Sequence, residues 1–201
     1  MNLIIATGNP GKAGEIREIL KMPGLIMLGP EDFVGWPEVE ETGKTFEENA
    51  RLKAEALRSF TGMNSLAEDS GLMVDCLGGR PGVFSSRYAG PEGDASRNIE
   101  RLLSELKGVP AEKRTARFHC AVALSLADGR LYLAEGDCQG TILTERRGSG
   151  GFGYDPVFAP RGLNRSMAEL SPEEKNEVSH RGEALRAIRE IIALLVAEGI
   201  P

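Results

Sequence analysis

The start of the chain places the strongest constraint on its fold. A short apolar run, residues 3–6, is followed by a turn that contains Pro10 and Gly11 and then by an amphipathic stretch, residues 15–20. This order predicts a buried strand, a tight turn and a helix. Because a helix N-terminus exposes backbone N–H groups and Lys12 adds a positive charge, the turn is suited to binding a phosphate group.

This turn differs from the P-loop of many nucleotide triphosphatases. Gly8 and Gly11 are too close together for that motif, and Ala13 stands where a Ser or Thr would contact magnesium. We therefore predict that phosphate is held here by a different arrangement.

Length and charge limit the functions that the chain can serve. It has 201 residues and a formal net charge of −6, which fits one domain with a substantial core. We predict a single domain over residues 1–201, with two lobes. Binding a nucleic-acid backbone requires a basic surface, so we expect a small anion in a local basic pocket and no nucleic-acid partner.

The targeting and cysteine patterns favour a cytoplasmic protein. The first apolar run is too short for a signal peptide, and no stretch approaches the ~20 apolar residues of a membrane span. Cys76, Cys120 and Cys138 are odd in number and widely spaced, which fits neither a metal site nor a disulfide framework. We expect no membrane contact and reduced, structural thiols.

Capping residues predict the helices. Thr45 and Glu48 form a capping-box pair before a stretch that reaches about residue 60, and Asp94 precedes a run with apolar residues at helical spacing. Ser171 predicts a short helix that carries Lys175, and apolar spacing near the end of the chain predicts a last helix.

Period-two patterns and turn residues predict the strands. Short strands are predicted at residues 65–68, 72–74, 131–134 and 140–143, and a long one at residues 115–126. The first two are separated by a predicted break at residues 69–71. Asp128 and Gly129 predict a hairpin turn after the long strand.

Four carboxylates are candidate metal ligands. Glu68 and Asp69 lie at the predicted strand break, and Glu40 and Glu41 lie on the loop before the second helix. Magnesium binds through few protein carboxylates, and substrate phosphates complete its shell. Exposed surface charge is the alternative, favoured for Glu40 and Glu41 alone because acidic residues are mostly exposed. A bend would leave Asp69 at a sheet edge, where open sheets bind ligands.

A glycine-rich segment at residues 148–153 has two interpretations. Its letters match a dinucleotide-binding fingerprint, but no helix follows, so that assignment fails. A flexible surface loop is one interpretation. The other is a base-binding site, in which Phe152 stacks on the base and Asp155 accepts a hydrogen bond from a ring N–H.

Other polar residues have both structural and functional interpretations. His180 and Arg181 follow Ser179 at the start of the last helix, where they are either exposed polar residues beside a cap or donors toward a ring carbonyl. His119 is favoured as structural because a lone histidine seldom indicates a site. Lys53 is favoured as an exposed charge on the second helix.

Taken in chain order, these motifs resemble those of the Ham1/RdgB family of non-canonical purine nucleoside triphosphate pyrophosphatases. The resemblance runs from residue 2 to about residue 195 with every block in family order, so it is more specific than any single motif. The blocks are residues 7–12, 41, 47–50, 68–72, 78–82, 152–156, 174–176 and 179–181.

The resemblance implies a fold and an activity. The fold is α/β, with an elongated mixed central sheet, flanking helices and two lobes around a nucleotide cleft. The activity is hydrolysis of ITP, dITP and XTP at the α-β phosphoanhydride, which yields a nucleoside monophosphate and pyrophosphate and cleanses the nucleotide pool. The family also implies Mg²⁺ dependence and a homodimer.

The resemblance further implies residue roles. Asp69 and Lys12 would be catalytic, with Asp69 helping to activate water, and Glu41, Glu68 and Asp69 would bind metal. The implied substrate contacts are Thr7, Gly8, Asn9, Pro10, Gly11, Lys12, Lys53, Ser70, Phe152, Gly153, Tyr154, Asp155, Lys175, His180 and Arg181. Glu68 stands where many bacterial members have aspartate, which moves the carboxylate by one methylene, and Glu40 is an alternative to its neighbour Glu41.

Hydrogen-bond polarity explains the implied base selection. Hypoxanthine and xanthine present O6 as an acceptor and N1–H as a donor, whereas adenine presents the reverse. The donors His180 and Arg181 with the acceptor Asp155 would therefore reject adenine. Guanine shares O6 and N1–H, so its exclusion must depend on the 2-amino group.

Two other functions remain open. One is a Maf-type pyrophosphatase that acts on pyrimidine or modified nucleotides, against which the segments around Phe152 and Ser179 argue. The other is a nucleotide sensor without catalysis, against which Lys12, Glu68 and Asp69 argue.

Overall fold

The computed structural model describes residues 1–200 and has the predicted α/β character. Its strands are β1 (Asn2–Ile5), β2 (Ile26–Leu28), β3 (Asn64–Val74), β4 (Thr115–Ser125), β5 (Leu131–Ile142) and β6 (Phe158–Pro160). Its helices are α1 (Pro10–Leu20), α2 (Phe46–Thr61), α3 (Ala95–Glu105), α4 (Pro172–Val178) and α5 (His180–Ala197).

The strands form one mixed sheet in the order β2-β1-β3-β4-β5-β6. β1 pairs in parallel with β2 and β3, whereas β5 and β6 are antiparallel. Parallel pairing requires a crossover connection, and α1 and α2 lie in the connections that follow β1 and precede β3. The mixed sheet expected from the sequence is confirmed.

The chain divides into two compact units, each with its own apolar core. The first unit contains Met1–Asp69, Cys120–Gly136 and the residues from Arg181 onward, and the second contains Ser70–His119 and Asp137–His180. In the first unit, α1 and α5 pack on strand residues such as Leu66 and Val122. In the second unit, α3 packs on other strand residues such as Leu72 and Phe158. No helix within residues 1–200 has the length and apolar character needed to cross a bilayer.

Two strand predictions were wrong in the same way. β3 runs without a break from Asn64 to Val74, through the Ser70 and Gly71 positions where a bend was predicted, and Leu131–Ile142 forms one strand where two were predicted. β3 lies between β1 and β4 and is buried along most of its length. Pairing on both edges and burial therefore override the local turn preference of Ser and Gly.

The predicted caps are confirmed. Thr45 Oγ1 accepts a hydrogen bond from Glu48 N at 3.1 Å, while the Glu48 carboxylate accepts from Lys44 N, one residue earlier than in a standard capping box. Asp94 caps α3 and Ser171 caps α4. The predicted hairpin turn also forms, with Gly129 at a φ of 94°.

Candidate functional site

The turn after β1 is organised by its own side chains. Thr7 Oγ1 accepts from Asn9 N at 3.2 Å, and Asn9 Oδ1 caps α1 by accepting from Lys12 N at 3.1 Å. Pro10 occupies the first helical turn, where its missing N–H leaves no bond unmade. The turn is therefore held in shape within the first unit, with Lys12 in the first turn of α1.

Glu68 of β3 is the most enclosed charge of the first unit. Its side chain has 0% exposure, and Oε1 lies 2.6 Å from Lys12 Nζ. Oε2 lies 3.6 Å from Arg181 Nη2 and 3.5 Å from the Cys120 thiol. Burial alone would raise the pKa of Glu68, but Lys12, Arg181 and Lys53 together lower it well below the usual value. Glu68 is therefore held as a carboxylate.

Asp69 has a separate set of partners, because successive strand residues point to opposite faces. Oδ1 lies 3.3 Å from Lys53 Nζ, and Oδ2 accepts from Asn49 Nδ2 at 3.0 Å. Lys53 Nζ also lies 2.7 Å from Glu41 Oε1, whereas Glu40 is exposed. Burial raises the pKa of Asp69, and Lys53 only partly opposes that effect.

The pKa of Lys53 is shifted by the same group of charges. Burial would lower it, but Asp69, Glu68 and Glu41 together raise it above the usual value. Lys53 is thus a largely buried ammonium group between two carboxylates, not the exposed charge that residue statistics favoured.

The donor set of this group suits a divalent cation. Glu41 and Asp69 both reach Lys53 Nζ, so their oxygens already surround one positive charge, and carboxylate oxygens are what hard cations prefer. Within residues 1–200 no three His, Cys, Asp or Glu side chains are yet arranged around one point. The protein supplies carboxylates paired with lysines, which matches a cation that enters together with phosphate groups.

Arg181 belongs to the first unit. Its side chain is 2% exposed, and Nη1 lies 2.6 Å from Glu15 Oε2 on α1. Burial would lower its pKa, but Glu68, Cys120 and Glu15 raise it. The guanidinium thus lies against two carboxylates of the first unit, those of Glu15 and Glu68.

Three predicted base-binding residues meet in the second unit. Asp155 Oδ2 accepts from Lys175 Nζ at 2.6 Å and from Phe152 N at 2.9 Å. Lys175 Nζ lies 4.3 Å from the centroid of the Phe152 ring, a cation–π contact. Asp155 and Lys175 are both buried, whereas Phe152 is half-buried. The aromatic face, carboxylate and ammonium expected from the sequence are therefore brought together.

Other predicted contacts of this unit have structural partners. Tyr154 is buried and donates its hydroxyl to Ser85 O at 2.9 Å, and burial raises the pKa of its phenol. His180 is buried with its ring stacked on Phe118 at 4.8 Å between centroids. Gly153 has a φ of 60°, which favours glycine, and Ser70 is partly exposed on β3.

The structure adds residues to which sequence reasoning assigned no role. Asn49 lies four residues before Lys53 on α2, so helical spacing could have placed both near one partner. Glu15 lies three residues after Lys12 on α1, a spacing that also places two side chains on one face of a helix. Cys120 had no signal beyond its position in an alternating strand. Trp36 lines a cleft of about 280 Å³ together with Thr7, Gly8 and Lys53.

Comparisons with known proteins identify the family of the chain. The sequence model of the Ham1 family matches residues 3–191. The chain is 50% identical over 192 residues to the dITP/XTP pyrophosphatase of Desulforamulus reducens, covering 96% of each chain. It is 49% identical over 189 residues to that of Bacillus subtilis, covering 94% of this chain and 96% of the relative.

Solved structures show the same fold. A HAM1 protein from Coxiella burnetii superposes with a TM-score of 0.88 at 38% identity, covering 96% of this chain and 99% of that one. The Staphylococcus aureus Ham1 protein gives a TM-score of 0.86 at 37% identity, covering 96% and 98%. With its sequence matched from residue 3 to residue 191 and its fold shared, the chain belongs to the Ham1 family.

Proposed function

We propose that the protein hydrolyses the non-canonical purine nucleoside triphosphates ITP, dITP and XTP to nucleoside monophosphates and pyrophosphate, with Mg²⁺ as cofactor. The observation that carries this proposal is the pair of adjacent buried carboxylates, Glu68 and Asp69, each with its own cations. Relatives about half identical in sequence are named dITP/XTP pyrophosphatases, which supports the same substrate class here.

The first unit binds the triphosphate. Lys12 and Lys53 supply positive charge, and the Gly8 and Gly11 amides at the start of α1 supply N–H donors for phosphate oxygens. Both lysines are held by carboxylates in the structure. Each lysine could pair with a phosphate oxygen instead, and the carboxylate it leaves would be available to hold Mg²⁺, so each negative group would keep a positive partner.

Glu41, Glu68 and Asp69 would hold the magnesium ion. When bound, the ion neutralises charge on the phosphates and makes water a better nucleophile. Asp69 then accepts the proton of the attacking water. Its Oδ2 is oriented by Asn49, which donates from Nδ2 at 3.0 Å.

The second unit recognises the base. Phe152 stacks on the purine, Asp155 accepts from N1–H, and His180 and Lys175 donate toward oxygen atoms of the substrate. The support is the contact of Asp155 with both Phe152 N and Lys175. We assign Arg181 the role of orienting Glu68, because its guanidinium faces Glu15 and Glu68.

We further propose a cytoplasmic homodimer that consists of one domain per chain and binds no nucleic acid. The acidic composition supports the last point. Light scattering should give about twice the single-chain mass of 21.6 kDa. A mass equal to that of one chain would contradict the dimer.

Product analysis in ¹⁸O-labelled water tests the reaction. With ITP and Mg²⁺ we expect labelled IMP and unlabelled pyrophosphate, because water attacks the α-phosphorus. Accumulation of IDP with free phosphate, or label in pyrophosphate, would overturn the proposal. Steady-state rates with ITP, XTP, GTP, ATP and dTTP, with and without Mg²⁺, separate this activity from a pyrimidine-directed pyrophosphatase and from a sensor.

A further inference from the structure

We infer that Cys120 is a positioning residue that orients the Glu68 carboxylate for catalysis. This inference rests on the proposed function, because it assigns a task to Glu68 during turnover. It adds a residue whose thiol touches neither a lysine nor a phosphate-binding turn.

The two oxygens of Glu68 are held from different sides. Lys12 Nζ lies 2.6 Å from Oε1, whereas Arg181 Nη2 at 3.6 Å and Cys120 Sγ at 3.5 Å both face Oε2. The Cys120 and Glu68 side chains are fully buried. The carboxylate is therefore fixed in rotation as well as in position.

The partners on the two sides differ in their freedom to move. The Lys12 side chain is 20% exposed and flexible, and Lys12 lies in the turn that would bind phosphate. Cys120 lies within β4 in the apolar core of the first unit, beside Leu66 and Val122. When Lys12 turns toward a phosphate, Oε1 becomes available, while Oε2 keeps its contacts with Cys120 and Arg181.

A thiol is suited to this task. It is a weak donor that adds no charge, and in a buried site of low dielectric even a weak hydrogen bond to a carboxylate is directional.

Two substitutions separate positioning from packing. Cys120→Ala removes the donor, and Cys120→Ser keeps one. We expect the Mg²⁺ concentration for half-maximal turnover to rise about fivefold in the alanine variant, the size of a typical net hydrogen bond, and to stay within about twofold of wild type in the serine variant. If the thiol only filled space, the more apolar alanine would perform at least as well as serine.

Cys138 provides the matched control. It is buried in the core of the second unit, and its Sγ lies 4.0 Å from the Gln139 carbonyl oxygen. Cys138→Ala should remove similar volume and leave the Mg²⁺ response unchanged. Urea unfolding of all variants would measure the loss of packing separately.

Binding of Mn²⁺ alone, followed by electron paramagnetic resonance, gives a readout that does not depend on turnover. Weaker Mn²⁺ binding in Cys120→Ala, with recovery in Cys120→Ser, supports the inference. Equal binding and equal Mg²⁺ response in Cys120→Ala and Cys138→Ala would overturn it, as would a serine variant weaker than alanine. A wild-type protein that releases no pyrophosphate would overturn the proposed function instead, and the Mn²⁺ data would still decide the role of Cys120.

Discussion

The two compact units each bury ionic side chains, but they do so in different ways. In the first unit, four carboxylates and three cations form the ionic group, and Glu68, Lys53 and Arg181 each have two opposite partners. In the second unit, Asp155 and Lys175 form a buried ion pair, 2.6 Å apart, beside the Phe152 ring.

This difference between the two ionic groups affects how each can respond to a ligand. A network with several carboxylates and several cations can exchange one partner for a phosphate or a metal while staying neutral, which suits phosphoryl chemistry. An ion pair beside an aromatic ring presents fixed donors, acceptors and a flat face, which suits recognition of a base. We therefore expect changes in the first unit to affect turnover and changes in the second to affect substrate affinity.

The largest expected effect is that of Asp69→Asn in the first unit. Loss of a metal-binding charge and of the water-activating base should lower kcat about 10²–10⁴-fold or more, with the fold intact because asparagine has the same shape. Steady-state kinetics with ITP at saturating Mg²⁺ measures this. The control is Asp75→Asn, because Asp75 lies just beyond the same strand; this variant should retain activity. Near-normal turnover by Asp69→Asn would contradict the expectation that changes in the first unit affect turnover.

Glu68→Gln should have the next largest effect, on stability. It removes the carboxylate that Lys12 and Arg181 share at full burial, and breaking a buried ion pair costs about 3–5 kcal/mol. Urea unfolding at neutral pH measures the change. The matched control is Glu31→Gln, because Glu31 pairs with Arg17 at the surface and its loss should leave stability nearly unchanged. An equal change in the free energy of unfolding for the two variants would show that the buried ionic group of Glu68 does not stabilise the fold.

Phe152→Ala should have a smaller effect, confined to binding. Stacking on a base contributes about 1–3 kcal/mol and depends little on base identity, so KM should rise by a similar factor for ITP, XTP and GTP while kcat changes little. Phe84→Ala is the control, because Phe84 is a 57% exposed aromatic of the same unit. A loss of activity with ITP alone would show that Phe152 determines which base is accepted, and it would contradict the expected role in binding every purine.

The smallest predicted effect is a pH dependence of stability that arises from Glu68. Its folded-state pKa lies well below the usual 4.5, so the charged form stabilises the fold. That contribution is complete above about pH 4.5 and is lost as the pH falls through the folded-state pKa. The stability difference between wild type and Glu68→Gln should thus be constant from about pH 6 to 8 and shrink in acid. A difference that grows in acid would contradict the assigned charge state.

Local signals in the sequence predicted much of the fold. The cap at Thr45, the cap at Asp94 and the hairpin at Gly129 depend on hydrogen bonds and dihedral preferences within a few residues, and all three form. The strand break at Ser70 and Gly71 was wrong because pairing on both edges of β3 outweighs local preference.

The same difference between local sequence signals and long-range packing applies to the candidate site. The sequence by itself determined which residue types are present, and through the family blocks it predicted chemical roles for Glu68, Asp69 and Phe152. Only the tertiary structure decided their partners. Arg181 lies against Glu15, a contact across 166 positions of the chain, and Cys120 lies against Glu68 across 52. Such contacts depend on how strands and helices pack, and no short-range preference encodes that packing.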